Sequence, residues 1–292
     1  MVAFALLAAC SASQALAPEP ADADAQAQWA AQCKDWDEWD KPGPPFQVSA
    51  NTYYVGTCGI SAILITGSEG HILIDGGPDN AAGIVAKNIE ALGFRLSDVK
   101  ILLHSHEHHD HVGGIAELQR LTGARLLASP QAAAVFASGT ASQDDPQFAE
   151  HHAFPAARVD GIVHDGEVIR LGDIALAAIA TPGHTPGALS WDWRACESDA
   201  CATAVYADSL TPVSSDGYRF SDHPAALAAF RRSLEAVAGL DCDILLSPHP
   251  SASGMRDRLL KGDLAGPPSC KAYAEGLAKR LDQRLAQEAD GG

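Results

Sequence analysis

A chain of 292 residues, 47% of them hydrophobic, can bury a sizeable core as one large domain or two small ones. Its 20 basic and 37 acidic residues leave a net charge of −17 with no basic cluster, which argues against nucleic acid or an anionic membrane as a partner. No run approaches the roughly 18 apolar residues of a membrane span.

In chain order, Val2 to Ala9 is a short apolar run leading to Ala15-Leu16-Ala17, an A-x-A cleavage site before Pro18. Residues 1–17 therefore read as a signal peptide, and the protein as periplasmic or secreted. Leu7-Ala8-Ala9-Cys10 also resembles a lipobox, in which Cys10 would carry a lipid anchor. Residues 18–45 are rich in Ala, Asp and Pro around Trp29, Trp36 and Trp39, and read as a mobile arm that ends by packing its aromatics on the domain. The domain proper is expected over 46–292.

From Asn51, "TYYVG", "SAILITG" and "HILIDGG" are short β-branched and aromatic runs broken by glycine, the mark of strands. "NAAGIVAKNIEALGF" has helical spacing at Ile84, Ala86-Lys87, Ile89 and Leu92. "VKILLH" is a buried strand, "GGIAELQRLTG" a helix closed by Gly123, "ARLLAS" a strand, and Pro130 opens another helix. "EVIRLGDIALAAIAT" is a hairpin turned at Gly172-Asp173, followed by the strands "GALSWDWR" and "TAVYADS". "HPAALAAFRRSLEAVAGL" is a helix, "CDILLS" a strand and "SCKAYAEGLAKRLDQRLAQEA" a C-terminal helix. Hairpins mixed into a strand–helix alternation in both halves predict an α/β (α+β) fold of two mixed sheets with helices outside, not one doubly wound sheet.

Seven cysteines, less Cys10, leave Cys33, Cys58, Cys196, Cys201, Cys242 and Cys270, which allow 15 pairings. Export favours disulfides over free thiols. Cys196 and Cys201 pair locally, since they flank the loop between two strands.

"HSHEHHDHVGG", residues 104–114, concentrates the chemistry. His106 and His108 would point about 200° apart on a helix but share a side in an extended segment. The cluster lies at a strand's C-terminal end, a usual place for sites in α/β folds. There His106, His108, Asp110 and His111 can converge on a metal, and imidazole with carboxylate suits zinc. His104 falls on the same alternation as His106, which leaves open a slipped register that uses it, but it lies nearer the buried strand and reads as a packed or supporting histidine. Glu107 and His109 point the other way, to loop surface or cleft wall. Downstream, His184 in "TPGHTPG" is held by a rigid turn, and His249 in "SPHP" follows a strand directly. Six ligands divide into two sets of three, each with an open position, as in catalytic rather than structural zinc sites.

At this point the sequence resembles the metallo-β-lactamase superfamily. H-x-H-x-D-H after a strand, then a later His in a Gly-rich loop and a last His after another strand, carry the likeness from about residue 46 to 288. "NTYYVGTCGISAILITGSEGHILIDGG", "GHTPGALSWDW", "YADSL" and "CDILLSPHP" followed by "SCKAYA" are similar to class B, third subclass. The resemblance implies a four-layer αβ/βα sandwich. It implies two Zn2+ ions per chain, the first on His106, His108 and His184 and the second on Asp110, His111 and His249. It also implies the pairs Cys33–Cys58 and Cys242–Cys270, worth roughly 3–4 kcal/mol each in the chain-entropy model.

Ser209 matches a serine that binds the substrate carboxylate where other subclasses place a Cys ligand; Thr211 often helps, and Gln147 in "DDPQF" falls on the cleft loop. Asp75 in "LIDGG" orients the metal-site loops or merely ends a strand. The implied activity is hydrolysis of the amide of penicillins, cephalosporins and carbapenems by a metal-bridged hydroxide that Asp110 orients, conferring antibiotic resistance. The implied partner is a small-molecule β-lactam, with a monomeric chain. A glyoxalase-II-like thioesterase or a lactonase shares the metal signature. In such thioesterases an Asp near position 208 bridges both metals, so Asp208-Ser209 is the discriminator: Ser209 favours a non-ligating serine, and the neighbouring Asp208 keeps the thioesterase open. A non-catalytic zinc-binding protein would also use dense histidines, but would not need them on three separated loops.

Overall fold

The computed structural model describes residues 23–197 and 200–290; the expected signal peptide, Cys10 included, lies outside the described residues. One sheet has seven strands in chain order: β1 (Phe46–Ser49), β2 (Thr52–Tyr54), β3 (Ile63–Gly67), β4 (Gly70–Ile74), β5 (Val99–Leu103), β6 (Arg125–Ala128) and β7 (Val159–Ile162). It is antiparallel up to β4 and parallel from β4 to β7. The other sheet has five strands: β8 (Val168–Leu171), β9 (Ile174–Ala180), β10 (Leu189–Glu197), β11 (Ala200–Tyr206) and β12 (Ile244–Leu246). It is antiparallel except for the β11–β12 pair. The helices are α1 (Ala23–Gln32), α2 (Ala82–Ala91), α3 (His109–Val112), α4 (Ile115–Thr122), α5 (Pro130–Ser138), α6 (Pro224–Ala238), α7 (Met255–Leu260) and α8 (Cys270–Ala289).

The layering follows from strand alternation. Ile63, Ile65, Ile72, Ile74, Ile101 and Leu103 turn one face of the first sheet toward Leu176, Ala178, Trp191, Trp193, Ala204 and Tyr206 of the second, making the central core. The intervening Leu64, Leu73, Leu102 and Leu126 face outward and pack on Val85 and Ile89 of α2, Ile115 and Leu118 of α4 and Phe136 of α5. Val205 and Leu245 face the opposite outer layer, packed on Phe230 and Leu234 of α6 and Leu277 and Leu281 of α8. Two-sided burial is why these strands read as continuous apolar runs. The result is a four-layer sandwich of two mixed sheets with outer helices, as expected.

Local signals act where they stand. Gly123 and Gly139 end α4 and α5 in the left-handed conformation. Ser129 caps α5 by accepting from the Ala132 N–H at 3.2 Å, with Pro130 in the first turn. α2 departs from its expected face: Ala82, Val85, Ala86 and Ile89 are buried and Ile84 only partly. Asn88 sets that rotation by donating to the Gly43, Val55 and Gly56 carbonyls at 3.0–3.1 Å.

The N-terminal segment also differs from a mobile arm over its described part. Residues 23–32 are helical and Trp29 packs edge-on to Phe46 and Tyr54. The Cys33–Cys58 disulfide then ties the segment to the chain after β2. α1 buries only Trp29 and Ala30, too few positions to show a helical period. Cys196–Cys201 and Cys242–Cys270 are the other two disulfides among the described residues.

α8 is fastened at its far end by Glu288, 2% exposed, whose carboxylate accepts from the Phe220 and Ser221 N–H groups at 2.9 Å and from Arg284 at 3.0 Å. Burial pushes this carboxyl up, but the donors outweigh it and bring its pKa down to about 2. A depressed folded-state pKa adds stability above the unfolded value of about 4.3, lost as pH falls through the folded value. Glu288→Gln is therefore expected to unfold about 2 kcal/mol more easily at neutral pH. The gap should close as pH falls toward 2, as checked by thermal unfolding of both proteins across that range.

Candidate metal centre

The site forms where β5, β9, β11 and β12 end, each loop delivering part of it. After β5 the chain stays extended through His108 and then turns into the single helical turn α3. This sends His106 and His108 to one side and lets α3 present Asp110 and His111. The loop from β9 to β10 carries His184, the loop after β11 carries Asp208 to Thr211, and His249 follows β12.

The candidate ligand atoms converge. Those of His106, His108 and His184 lie within 4.8 Å of one another, as do those of His106, Asp110 and His111. His249 Nε2 lies 3.5 Å from Asp110 Oδ2, and His111 Nε2 lies 3.1 Å from it. All six ligands expected of the two sets thus meet in one place.

Three of the five rings are held from the far nitrogen. His106 Nδ1 is 2.8 Å from Asp208 Oδ1, His108 Nε2 is 3.0 Å from Asp145 Oδ2, and His184 Nδ1 is 3.0 Å from the Thr211 carbonyl. His106 Nε2 is left buried with no hydrogen-bond partner, and so are both nitrogens of His111. Orphaned buried polar atoms cost free energy unless something binds them. Burial holds His106 and His108 well below the usual imidazole pKa, and His184 and His249 down to about 4. Burial works against the Asp110 carboxylate, yet the adjacent His111 above all keeps it ionised. Burial also works against a charged His111, yet Asp110, Asp75 and Asp208 raise its pKa above the usual imidazole value. Four imidazoles held neutral, an ionised carboxylate and a fifth ring set among carboxylates that draw positive charge fit a divalent metal of zinc's preferences.

Asp145 and His151 went unseen in the sequence, and Asp208 entered it only as a possible bridge between metals. Asp208 and Asp145 are buried, and burial raises them to about 8 and about 7. His151 lies 3.8 Å, ring to ring, from His108, and with Asp145 and His108 it forms a third cluster of potential ligand atoms. None sits at a telling spacing from the ligands it serves. Asp75 accepts from the Ser105 N–H, the Ser105 hydroxyl and the Tyr206 hydroxyl, each at 2.7 Å. It is therefore bonded to the ligand segment.

Glu107 corrects an expectation: it is neither loop surface nor cleft wall. It is 2% exposed and accepts from Thr185 Oγ1 at 2.7 Å and the Gly187 N–H at 2.8 Å. Alternation does place it opposite the ligands, but the His184 loop, not solvent, covers that side. His104 accepts from the Ser129 N–H at 3.1 Å and packs on Phe136, outside the ligand clusters. His109 lines the cleft wall beside Trp39.

The cleft over the cluster measures about 350 Å³ and is bordered by Trp36, Trp39, Gln147, Ser209, Thr211 and Val213. Ser209 Oγ and Gln147 Nε2 are buried without partners. Trp36 is 66% exposed in a left-handed backbone conformation, its N–H bound to Ser251 Oγ at 2.7 Å.

A model of the metallo-β-lactamase superfamily matches residues 55–249. The structure of the MIM-2 metallo-β-lactamase is 62% identical, covering 90% of this chain and 98% of that one, with a TM-score of 0.87. MIM-1 from Novosphingobium pentaromativorans is 47% identical over 91% of this chain and 99% of that one, TM-score 0.87. MEM-A1, a subclass B3 enzyme from a soil metagenome library, is 46% identical over 87% and 100%, TM-score 0.83. A curated relative, hydroxyacylglutathione hydrolase from Bradyrhizobium sp. strain BTAi1, is 31% identical over 132 residues, 45% of this chain. That match spans only 41% of the relative's own length. A cleft that gathers six side chains of the types that ligate metals, on a scaffold matched nearly end to end by B3 enzymes, makes this chain a hydrolase that belongs to the metallo-β-lactamase superfamily.

Proposed function

We propose that the protein is a two-zinc β-lactamase that opens the amide of penicillins, cephalosporins and carbapenems and so confers antibiotic resistance. His106, His108 and His184 would hold one ion, and Asp110, His111 and His249 the other. When bound, zinc supplies Lewis acidity and lets water act as a nucleophile at neutral pH. The ionised Asp110 accepts a hydrogen bond from the attacking water, orients it and relays its proton toward the amide nitrogen, which takes up that proton as its bond to the carbonyl carbon breaks. Ser209 and Thr211 offer hydroxyl donors to the substrate carboxylate, and the Gln147 amide offers another donor to the substrate from the facing loop.

The observation that carries this reading is the 2.8 Å contact between Asp208 and His106. It spends the Asp208 carboxylate behind a ligand, whereas a bridging role would turn it toward both metals. The neighbouring Ser209 hydroxyl stays unpartnered at the cleft, where a substrate anion would need it. The partial likeness to hydroxyacylglutathione hydrolases keeps a thioesterase as the second reading. The three disulfides support an oxidising compartment, periplasmic or secreted, for a monomeric catalytic domain over 46–292 preceded by a signal peptide over 1–17.

Hydrolysis of a penicillin, a cephalosporin and a carbapenem is expected and should be lost on chelation, when measured beside a thioester and a lactone. Robust thioester turnover without β-lactam turnover would overturn the reading. His249→Ala should bring bound zinc from two ions toward one and cut turnover about 100-fold or more; unchanged stoichiometry by elemental analysis would remove His249 from the site. Asp208→Ala frees the far nitrogen of His106 and should weaken metal affinity about 10- to 100-fold in a competition titration with a chelator.

A further inference from the structure

The cleft of an acidic protein has to receive an anion. At a net charge of −17 the overall field works against it, and the cleft wall itself carries Asp110 and Glu150. Among the described residues lining the cleft, Arg280 is the single Lys or Arg. It comes from α8, an element with no expected part in the site. Neighbouring arginines are engaged: Arg231 with Asp282, and Arg284 with Glu288. Arg280 makes no hydrogen bond or ion pair among the described residues.

Its placement is built by the fold. Tyr273 donates from its hydroxyl to the Asp208 and Ser209 carbonyls at 3.0 and 3.1 Å, seating α8 on the loop that carries Ser209. Arg280 follows seven residues later, nearly two helical turns on, so it leaves α8 on the same side. Burial and the nearby Asp208 push the Tyr273 hydroxyl up while the Arg280 charge pulls it down, so the guanidinium lies within electrostatic reach. Beside it, Ser209 is 2% exposed with its hydroxyl unpartnered, a donor awaiting an acceptor.

We propose that Arg280 is a further substrate-binding residue, which attracts and holds the carboxylate on the fused ring of β-lactam substrates together with the Ser209 and Thr211 hydroxyls. The inference rests on the β-lactamase reading above. The hydroxyls orient the anion but carry no charge; a guanidinium supplies charge and a planar pair of donors matched to a carboxylate.

The test compares a β-lactam free acid with its methyl ester, using zinc-loaded wild type, Arg280→Gln and Arg280→Lys. Taking the acid-over-ester ratio of kcat/KM on each preparation cancels losses from folding or metal content. Arg280→Gln is expected to lower that ratio about fivefold, through KM rather than kcat. Arg280→Lys should keep most of it, and added salt should bring the wild-type ratio toward that of Arg280→Gln. An Arg280→Gln ratio equal to the wild-type ratio would overturn the inference and leave the β-lactamase reading standing. Wild-type turnover of neither form would overturn both.

Discussion

Asp75 joins the two sheets at the point where the metal centre is assembled. It follows β4 of the first sheet in a left-handed conformation and binds Tyr206 of β11 in the second, while holding the backbone and hydroxyl of Ser105. Burial raises its pKa, and His111 with the hydrogen bonds from Ser105 and Tyr206 offsets that only in part. A carboxyl group enclosed this way tolerates little displacement, because any donor that leaves strands a buried polar atom. The ligand segment from His104 to His108 is thereby registered against both sheets before any metal enters.

The same logic extends outward from His106, His108 and His184. A ring nitrogen that binds metal must be unprotonated and correctly aimed, and the bond at the other nitrogen decides both. Here those bonds go to Asp208, Asp145 and the Thr211 carbonyl, on three different loops. Glu107 adds a fourth tie, clamping the His184 loop to the strand end. Rigidity at the centre therefore arises from cross-loop bonds between elements that the sandwich brings together.

Around this rigid floor the cleft walls are of a different kind. Trp36 and Trp39 come from the disulfide-tied N-terminal segment, and their rings lie 6.0 and 6.3 Å from that of His249. With Val213 they present apolar surface at the mouth. Buried donors and a single guanidinium stand among them, so orientation and charge are supplied at few points.

The metal-binding motif was legible because its residues are close in sequence: a strand end followed by H-x-H-x-D-H admits few geometries. His184 and His249 were legible because each stands directly after or between strands in a turn-rich stretch. Two mixed sheets with helices outside could be read from apolar runs of strand length between helical periods, and the resemblance implied their stacking into four layers. Asp145, Arg280 and the place of Asp208 behind His106 could not be read. Asp208 lies 102 residues from His106, and Asp145 lies 37 from His108. Arg280 sits in a long polar helix whose spacing says only which side packs. The α1 helix escaped notice because two buried residues make no period. Local pattern reports what a segment does to its own backbone and which face it buries. Which distant carboxylate backs a ligand, and which cation overlooks the cleft, depends on how whole elements pack, and only the tertiary structure decides that.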